Sequence, residues 1–221
     1  MRFLVDSAKL EEVREAMDMS FVNGVTTNTR EMAYNATDNY HAYLKKLRKI
    51  ARGTIHVQVT VEDAEGMILE GRAINGLIDG VRVKIPVTVE GLKAMFTLTS
   101  EGIEVAATAV NTVSMAVLAA TSGAASVIPY YGVMEDFEED ATGLLEDITA
   151  AFMQYDLPCE LIFFARHVKQ VRAGIRAGAD GCLMTLDGLK SLFDHPLSVR
   201  EIGFMNAAWR KRFGKRTWAS G

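Results

Sequence analysis

A lysine amine can attack a carbonyl carbon, and one lysine of this sequence stands in a telling place. The stretch Gly80-Val81-Arg82-Val83-Lys84-Ile85-Pro86-Val87-Thr88 reads as a short strand, rich in β-branched residues and closed by a proline. Lys84 lies near its carboxyl end. If both faces of such a strand are covered, its amine sits in apolar surroundings that disfavour the charged form. A neutral lysine amine can add to a ketone or aldehyde and form a Schiff base. The plainer alternative is a lysine that runs its apolar stem along the strand end and reaches solvent.

What holds that strand is a regular alternation. Short apolar runs (2–6, 24–27, 54–60, 80–88, 104–110, 126–130, 160–164 and 181–184) are each followed by a stretch of helical periodicity or by turn residues. Asp63 and Thr88 stand where helix N-caps are expected, and Gly123 and Gly178 where helices should end. An acidic loop is expected over 135–140. Repeated βα units require a parallel sheet covered by helices. Eight of them with no break in composition predict a closed (β/α)8 barrel, with an open doubly wound sheet as the alternative that periodicity cannot separate. The domain reading is one barrel over 1–221. Residues 196–221 form a helical arm suited to subunit contacts, because Phe204, Met205, Trp209 and Phe213 line up beside a basic tail.

In such barrels chemistry takes place at the carboxyl ends of the strands, and the period of two selects the inward side chains. With Lys84 inward, the polar residues at the other strand ends are Asp6, Asn28, Gln58, Thr108, Tyr130 and Arg166. Each has an ordinary explanation alone: a helix cap for Asp6, a turn for Thr26-Thr27-Asn28, core packing for Tyr130. A barrel has no structural need for so many of them. By the same parity Arg82 points inward below the lysine, where it needs an acid, and Glu104 is the expected partner.

Composition narrows the classes. A formal net charge of −4 argues against a general nucleic-acid surface. No run approaches the roughly 20 apolar residues of a membrane span, and the first residues do not read as a signal peptide. Two cysteines and four unclustered histidines make neither a disulfide framework nor a metal site. A cytoplasmic location is the default expectation, and no metal or cofactor is called for.

Taken together, Phe3-Leu4-Val5-Asp6-Ser7, Gly24-Val25-Thr26-Thr27-Asn28, Asp63-Ala64-Glu65-Gly66-Met67, the lysine segment through Leu92, and His195-Pro196-Leu197 make the chain resemble the small bacterial transaldolase and fructose-6-phosphate aldolase family. The likeness runs from Phe3 to about Phe213. It implies a (β/α)8 barrel whose strand lysine, here Lys84, forms a Schiff base with a dihydroxyacetone-type donor. It implies that Asp6 positions donor hydroxyls or assists C–C cleavage, that Asn28 with Thr27 in the same turn binds the donor, and that the chain is a homo-oligomer, with a decamer as the family's example. The transaldolases carry glutamate and phenylalanine where this chain has Gln58 and Tyr130, and their free-aldolase relatives carry glutamine and tyrosine. On that pattern Tyr130, with Gln58 and Thr108, manages water and protons.

The departures concern the acceptor. The phosphate-side arginine of the family aligns with Val133 and a serine with Phe164, which leaves Arg166, with Arg30 as a substitute cation from a neighbouring strand end. Arg82 stands where the family usually has an aliphatic residue. The expected activity is a cofactor-independent class I aldolase joining a small ketone donor to an aldehyde acceptor. The rivals are a transaldolase that moves the three-carbon unit between sugar phosphates, and a barrel without turnover that serves as a binding or assembly protein.

Overall fold

Closure of the sheet is decided by one pairing that no local pattern could reveal. The computed structural model describes residues 1–137 and 139–220. In chain order β1 (Arg2–Asp6) is followed by α1 (Leu10–Asp18), β2 (Val22–Thr26) by α2 (Thr29–Asn35) and α3 (Tyr40–Ile50), and β3 (Thr54–Gln58) by α4 (Ala64–Leu77). Then come β4 (Val81–Pro86), α5 (Val89–Ser100), β5 (Val105–Val110), α6 (Val113–Thr121) and β6 (Ser126–Pro129). The chain continues through α7 (Tyr131–Asp136), α8 (Ala141–Gln154), β7 (Glu160–Phe164), α9 (Val168–Arg176), β8 (Gly181–Met184), α10 (Leu186–Ser191) and α11 (Pro196–Phe213). All neighbouring strands are parallel, and β8 returns to β1 through Arg2↔Gly181 to Val5↔Met184. The fold is therefore a (β/α)8 barrel, and the open sheet is excluded.

Two short helices stand where turns or loops were expected. Helix α2 follows the Thr-Thr-Asn segment because the Asn28 side chain accepts the Glu31 N–H at 2.9 Å and so caps it. Helix α7 takes up Glu135 and Asp136 of the expected acidic loop, whose Glu138 lies outside the described residues. Side-chain caps also start four of the longer helices: Asp63 on Gly66, Thr88 on Gly91, Thr112 on Met115 and Asp140 on Gly143. Gly91 has a second duty. A Cβ there would lie 2.0 Å from the Pro86 carbonyl oxygen, so only glycine lets α5 start against the end of the lysine strand.

Following the register around the barrel sorts the inward residues into layers of four from alternate strands. Leu4, His56, Ala106 and Ile162 form the middle layer, with Thr26, Lys84, Ile128 and Leu183 above it. Asp6, Gln58, Thr108 and Phe164 come next, and Asn28, Pro86 and Tyr130 crown the carboxyl end. Below the middle lie Gly24, Arg82, Ser126 and Gly181, then Arg2, Thr54, Glu104 and Glu160. Apolar contact joins Leu4, Ala106, Ile128, Ile162 and Leu183, with Tyr130 and Phe164 packed above.

Arg82 is buried within its own layer. Its Nε donates to Glu104 at 2.7 Å, as parity predicts, and Nη1 donates to Glu160, which also pairs with Arg2. Burial opposes the charge on Arg82, but the two carboxylates outweigh it and hold its pKa above the ordinary value.

The chain divides into two compact units, Met1–Leu189 with the barrel and Lys190–Gly221 with α11. In the second, the Trp209 ring packs at a tilt against Phe213 and Trp218, and its indole N–H donates to the Arg216 carbonyl at 2.8 Å. Leu197, Val199, Ile202, Phe204 and Met205 of α11 are exposed. Among the described residues no helix is long and apolar enough to cross a membrane.

Candidate active site

Lys84 is only 3% exposed, although it is a charged residue type on an interior strand. Its Nζ donates to the Thr27 carbonyl oxygen at 3.3 Å. That carbonyl is aimed by two contacts of the same residue: the Thr27 N–H and Oγ1 both bond to the His56 carbonyl at 2.9 Å. The Thr27 hydroxyl is therefore committed to the backbone, and the residue meets the lysine through its main chain. Gln58 is the register partner of Lys84 on β3.

Asp6 stands one layer above the lysine. Burial pushes its carboxyl up to about 6, against the opposing pull of the Lys84 ammonium. Its Oδ1 has no partner among the protein atoms. Asp6 does not cap the first helix, which begins after Lys9 without a side-chain cap, while Ser7 bonds to the Lys9 N–H. The carboxylate is thus left to serve the interior.

Thr108 and Tyr130 share a hydrogen bond of 2.7 Å between their hydroxyls. The backbone just beyond Thr108 is unusual: Ala109 has φ +58 and the register with β6 shifts between Thr108 and Val110. A bulge at the mouth of a barrel re-aims side chains, and a left-handed alanine costs about 1–2 kcal/mol. Tyr130 also opens α7 but makes no side-chain cap there, so its hydroxyl is free to meet Thr108.

The expected phosphate cations are arranged differently. Arg166 donates to Asp136 at 2.8 Å, and its side chain lies over Gly132, where a Cβ would be 3.0 Å from it. Its backbone N–H is held by Gln170, which in turn bonds to Glu135. Arg30 projects outward with its side chain 75% exposed and lies 3.6 Å from Glu31. Lys84, Asp6, Gln58, Thr108, Tyr130 and Asn28 thus belong to the top layers of one barrel, Arg166 sits at its rim behind an acid, and Arg30 stands apart. The side-chain Oδ1 of Asn28 is already used as a helix cap, which leaves its side-chain N–H groups for a ligand.

Sequence reasoning missed the floor beneath this site. His56, 0% exposed, has neither ring nitrogen partnered, and Thr26 Oγ1 and Ser126 Oγ are likewise without partners among the protein atoms. The parity that found Gln58 would also have found His56, two residues earlier. Burial first, then the charges of Lys84, Arg82 and Arg2, lower the His56 pKa to about 3. A histidine held neutral in the folded state supports stability above its unfolded pKa of about 6.5, and that support is lost as pH falls toward 3. His56→Leu should therefore gain on the parent protein by about 1.4 kcal/mol for each pH unit between roughly 6 and 3. Urea unfolding of both proteins at pH 7, 5 and 4 measures this. A stability difference independent of pH would mean that His56 is protonated inside the barrel.

The architecture and the crown of polar groups define a (β/α)8 barrel of the kind built for chemistry at strand ends. Residues 3–216 match the family model described as Transaldolase/Fructose-6-phosphate aldolase, and the chain belongs to that family. It is 37% identical over 216 residues to a probable transaldolase of Clostridium acetobutylicum, covering 97% of this chain and 100% of the relative. It is 34% identical over 212 residues to one of Shouchella clausii, covering 96% and 98%. It is also 37% identical over 199 residues to one of Aquifex aeolicus, covering 90% and 91%. The family is one of transaldolase and aldolase enzymes.

Proposed function

We propose that this protein is a class I aldolase that joins or splits a C–C bond between a dihydroxyacetone-type ketone and an aldehyde through an imine on Lys84. The observation that carries the reading is a buried lysine in the second layer below the mouth, with a half-buried carboxyl and a paired threonine and tyrosine stacked above it. The Lys84 amine adds to the ketone carbonyl, and loss of one water from the carbinolamine leaves the imine. In the cleavage direction Asp6 takes the proton of the hydroxyl on the departing carbon, the C–C bond breaks, the aldehyde leaves, and the electron pair of the broken bond passes to the protonated imine to give the enamine. Protonation of the enamine carbon through Tyr130 and Thr108, then addition of water, releases the ketone and restores the amine. An Asp6 pKa near 6 suits a group that must give and take a proton near neutrality.

The second reading is a transaldolase, favoured by the names of the relatives. Gln58 and Tyr130 support the free aldolase instead. A tyrosine hydroxyl beside the enamine can supply the proton and order the water that free release needs, whereas transfer needs the enamine to wait for a second aldehyde.

Product analysis by mass spectrometry separates the two. The ketose adduct should form from free dihydroxyacetone and an aldehyde without any sugar-phosphate donor. Product only when a donor ketose is supplied would assign the chain to transfer. The acceptor preference follows from the rim. One arginine already paired with Asp136 makes a weak phosphate site, since a single charge-assisted contact is worth about 1.5–3 kcal/mol, or roughly 10- to 150-fold. The kcat/KM ratio of glyceraldehyde 3-phosphate to glyceraldehyde should stay below about a thousandfold. A larger ratio would mean that Arg30 or another cation completes the site.

A further inference from the structure

A neutral amine that attacks a carbonyl has one lone pair to aim and two N–H bonds to place. On Lys84 the lone pair must face the mouth, where the ketone enters, so both N–H bonds need acceptors beside or below it. The Thr27 carbonyl, 3.3 Å from Nζ, supplies one. Among the described residues no second protein acceptor bonds to Nζ.

Below the lysine the barrel interior offers three polar side chains that the protein leaves unused. Thr26 lies in the layer of Lys84, His56 in the layer beneath, and Ser126 one layer lower beside Arg82. All three are at most 1% exposed, and neither hydroxyl nor either ring nitrogen of His56 has a partner among the protein atoms. Thr26 and His56 are register partners across β2 and β3, and so are His56 and Arg82 across β3 and β4. Arg82 does not serve the column, because its guanidinium is drawn to Glu104 and Glu160.

Buried polar groups are nearly always hydrogen-bonded, and a buried water needs two to four polar partners. A hydroxyl can donate and accept, and a neutral imidazole carries one donor and one acceptor nitrogen. The charges that act on His56, those of Lys84, Arg82 and Arg2, are all positive, and together with burial they keep its ring neutral. An imidazolium would have no acceptor to offer.

We infer that Thr26, His56 and Ser126 hold ordered water in the barrel floor, and that His56 acts through this water as a positioning residue for Lys84. The water accepts the second N–H of the amine and so turns the lone pair toward the mouth. His56 itself touches neither the substrate nor the reacting atoms. The positioning role rests on the Schiff-base reading above, whereas the water site stands without it.

The test uses the full-length protein. A high-resolution crystal structure without substrate should place water about 2.7–3.2 Å from His56 and from at least one of the two hydroxyls. Nitrogen-15 spectra of histidine-labelled protein near neutral pH should show His56 uncharged and in one tautomer. His56→Leu removes both ring nitrogens. It should slow imine formation with dihydroxyacetone about tenfold or more, followed by borohydride trapping against time, and leave the KM for dihydroxyacetone within about twofold. His56→Asn and His56→Gln each return a polar group near the place of one ring nitrogen, and one of them should recover most of the lost rate. Urea unfolding of each variant separates a loss of rate from a loss of fold. A dry floor in the crystal would overturn the inference, and so would an unchanged rate of imine formation in His56→Leu. Recovery in neither amide variant would assign His56 to packing and overturn the positioning role. If no ketone is trapped on Lys84 in the parent protein, the Schiff-base reading and the positioning role fall together, while the crystal and nitrogen-15 results still decide the water site.

Discussion

Replacing Lys84 by methionine should abolish turnover and leave the barrel folded. Met has a similar length and no amine, and it can fill the same space among Thr26, Ile128 and Leu183. Among the described residues it gives up one protein hydrogen bond, from Nζ to the Thr27 carbonyl, and Thr27 itself stays held to β3 by its N–H and hydroxyl bonds to the His56 carbonyl. Far-ultraviolet circular dichroism should be unchanged, while aldol formation falls to background, because no imine can form without the amine. Borohydride reduction of the parent protein with dihydroxyacetone should place the adduct on Lys84 in peptide maps. An adduct on Lys93, whose side chain is exposed and paired with Glu90, or normal activity in the methionine variant, would refute the assignment. A second readout comes from Asp6. The Lys84 ammonium is the main influence holding its pKa down against burial, so in the methionine variant Asp6 should titrate above 6. Carboxyl chemical shifts followed against pH report this without any catalysis.

The second large effect is expected at Tyr130. Its hydroxyl is held at 2.7 Å from that of Thr108 at the mouth of the barrel, one layer above Asp6 and two above the lysine. Tyr130→Phe keeps the ring that packs on the apolar layer and removes the group that moves a proton. Free aldol cleavage should fall by about 10²-fold or more, in line with the usual size of a general acid–base contribution. Trapping on Lys84 should survive, and transfer to an added aldehyde should rise relative to release, since the enamine then waits longer. An unchanged cleavage rate would reduce the tyrosine to a packing residue. Thr108→Val is the useful companion: it removes the partner that orients the phenol, and a smaller loss than in Tyr130→Phe marks it as a positioning residue.

Much of this was legible along the chain, for a definite reason. Strand parity is a local property, so the period of two put Lys84, Arg82, Gln58, Thr108 and Asp6 on the inner face before any fold was known. The same parity named Glu104 as the acid for Arg82, and the contact is present at 2.7 Å. The repeat of eight βα units selected the fold class for the same kind of reason, since each unit shows its own apolar period.

What parity cannot supply is the identity of neighbours across the barrel. Glu160 meets Arg82 and Arg2 because the stagger of the strands sets the start of β7 level with that of β1, and nothing within either segment encodes that height. Asp136 takes the charge of Arg166 because α7 forms where acidic residues suggested a loop; Gly132 gives the arginine stem room, and only the folded turn brings them together. The cap that Asn28 provides and the Thr27 carbonyl offered to Lys84 are likewise products of packing. The sequence by itself determined the units, their inward faces and the lysine. The tertiary structure decided closure and the pairing of charges, because these depend on strand stagger and helix packing, which join residues far apart in the chain.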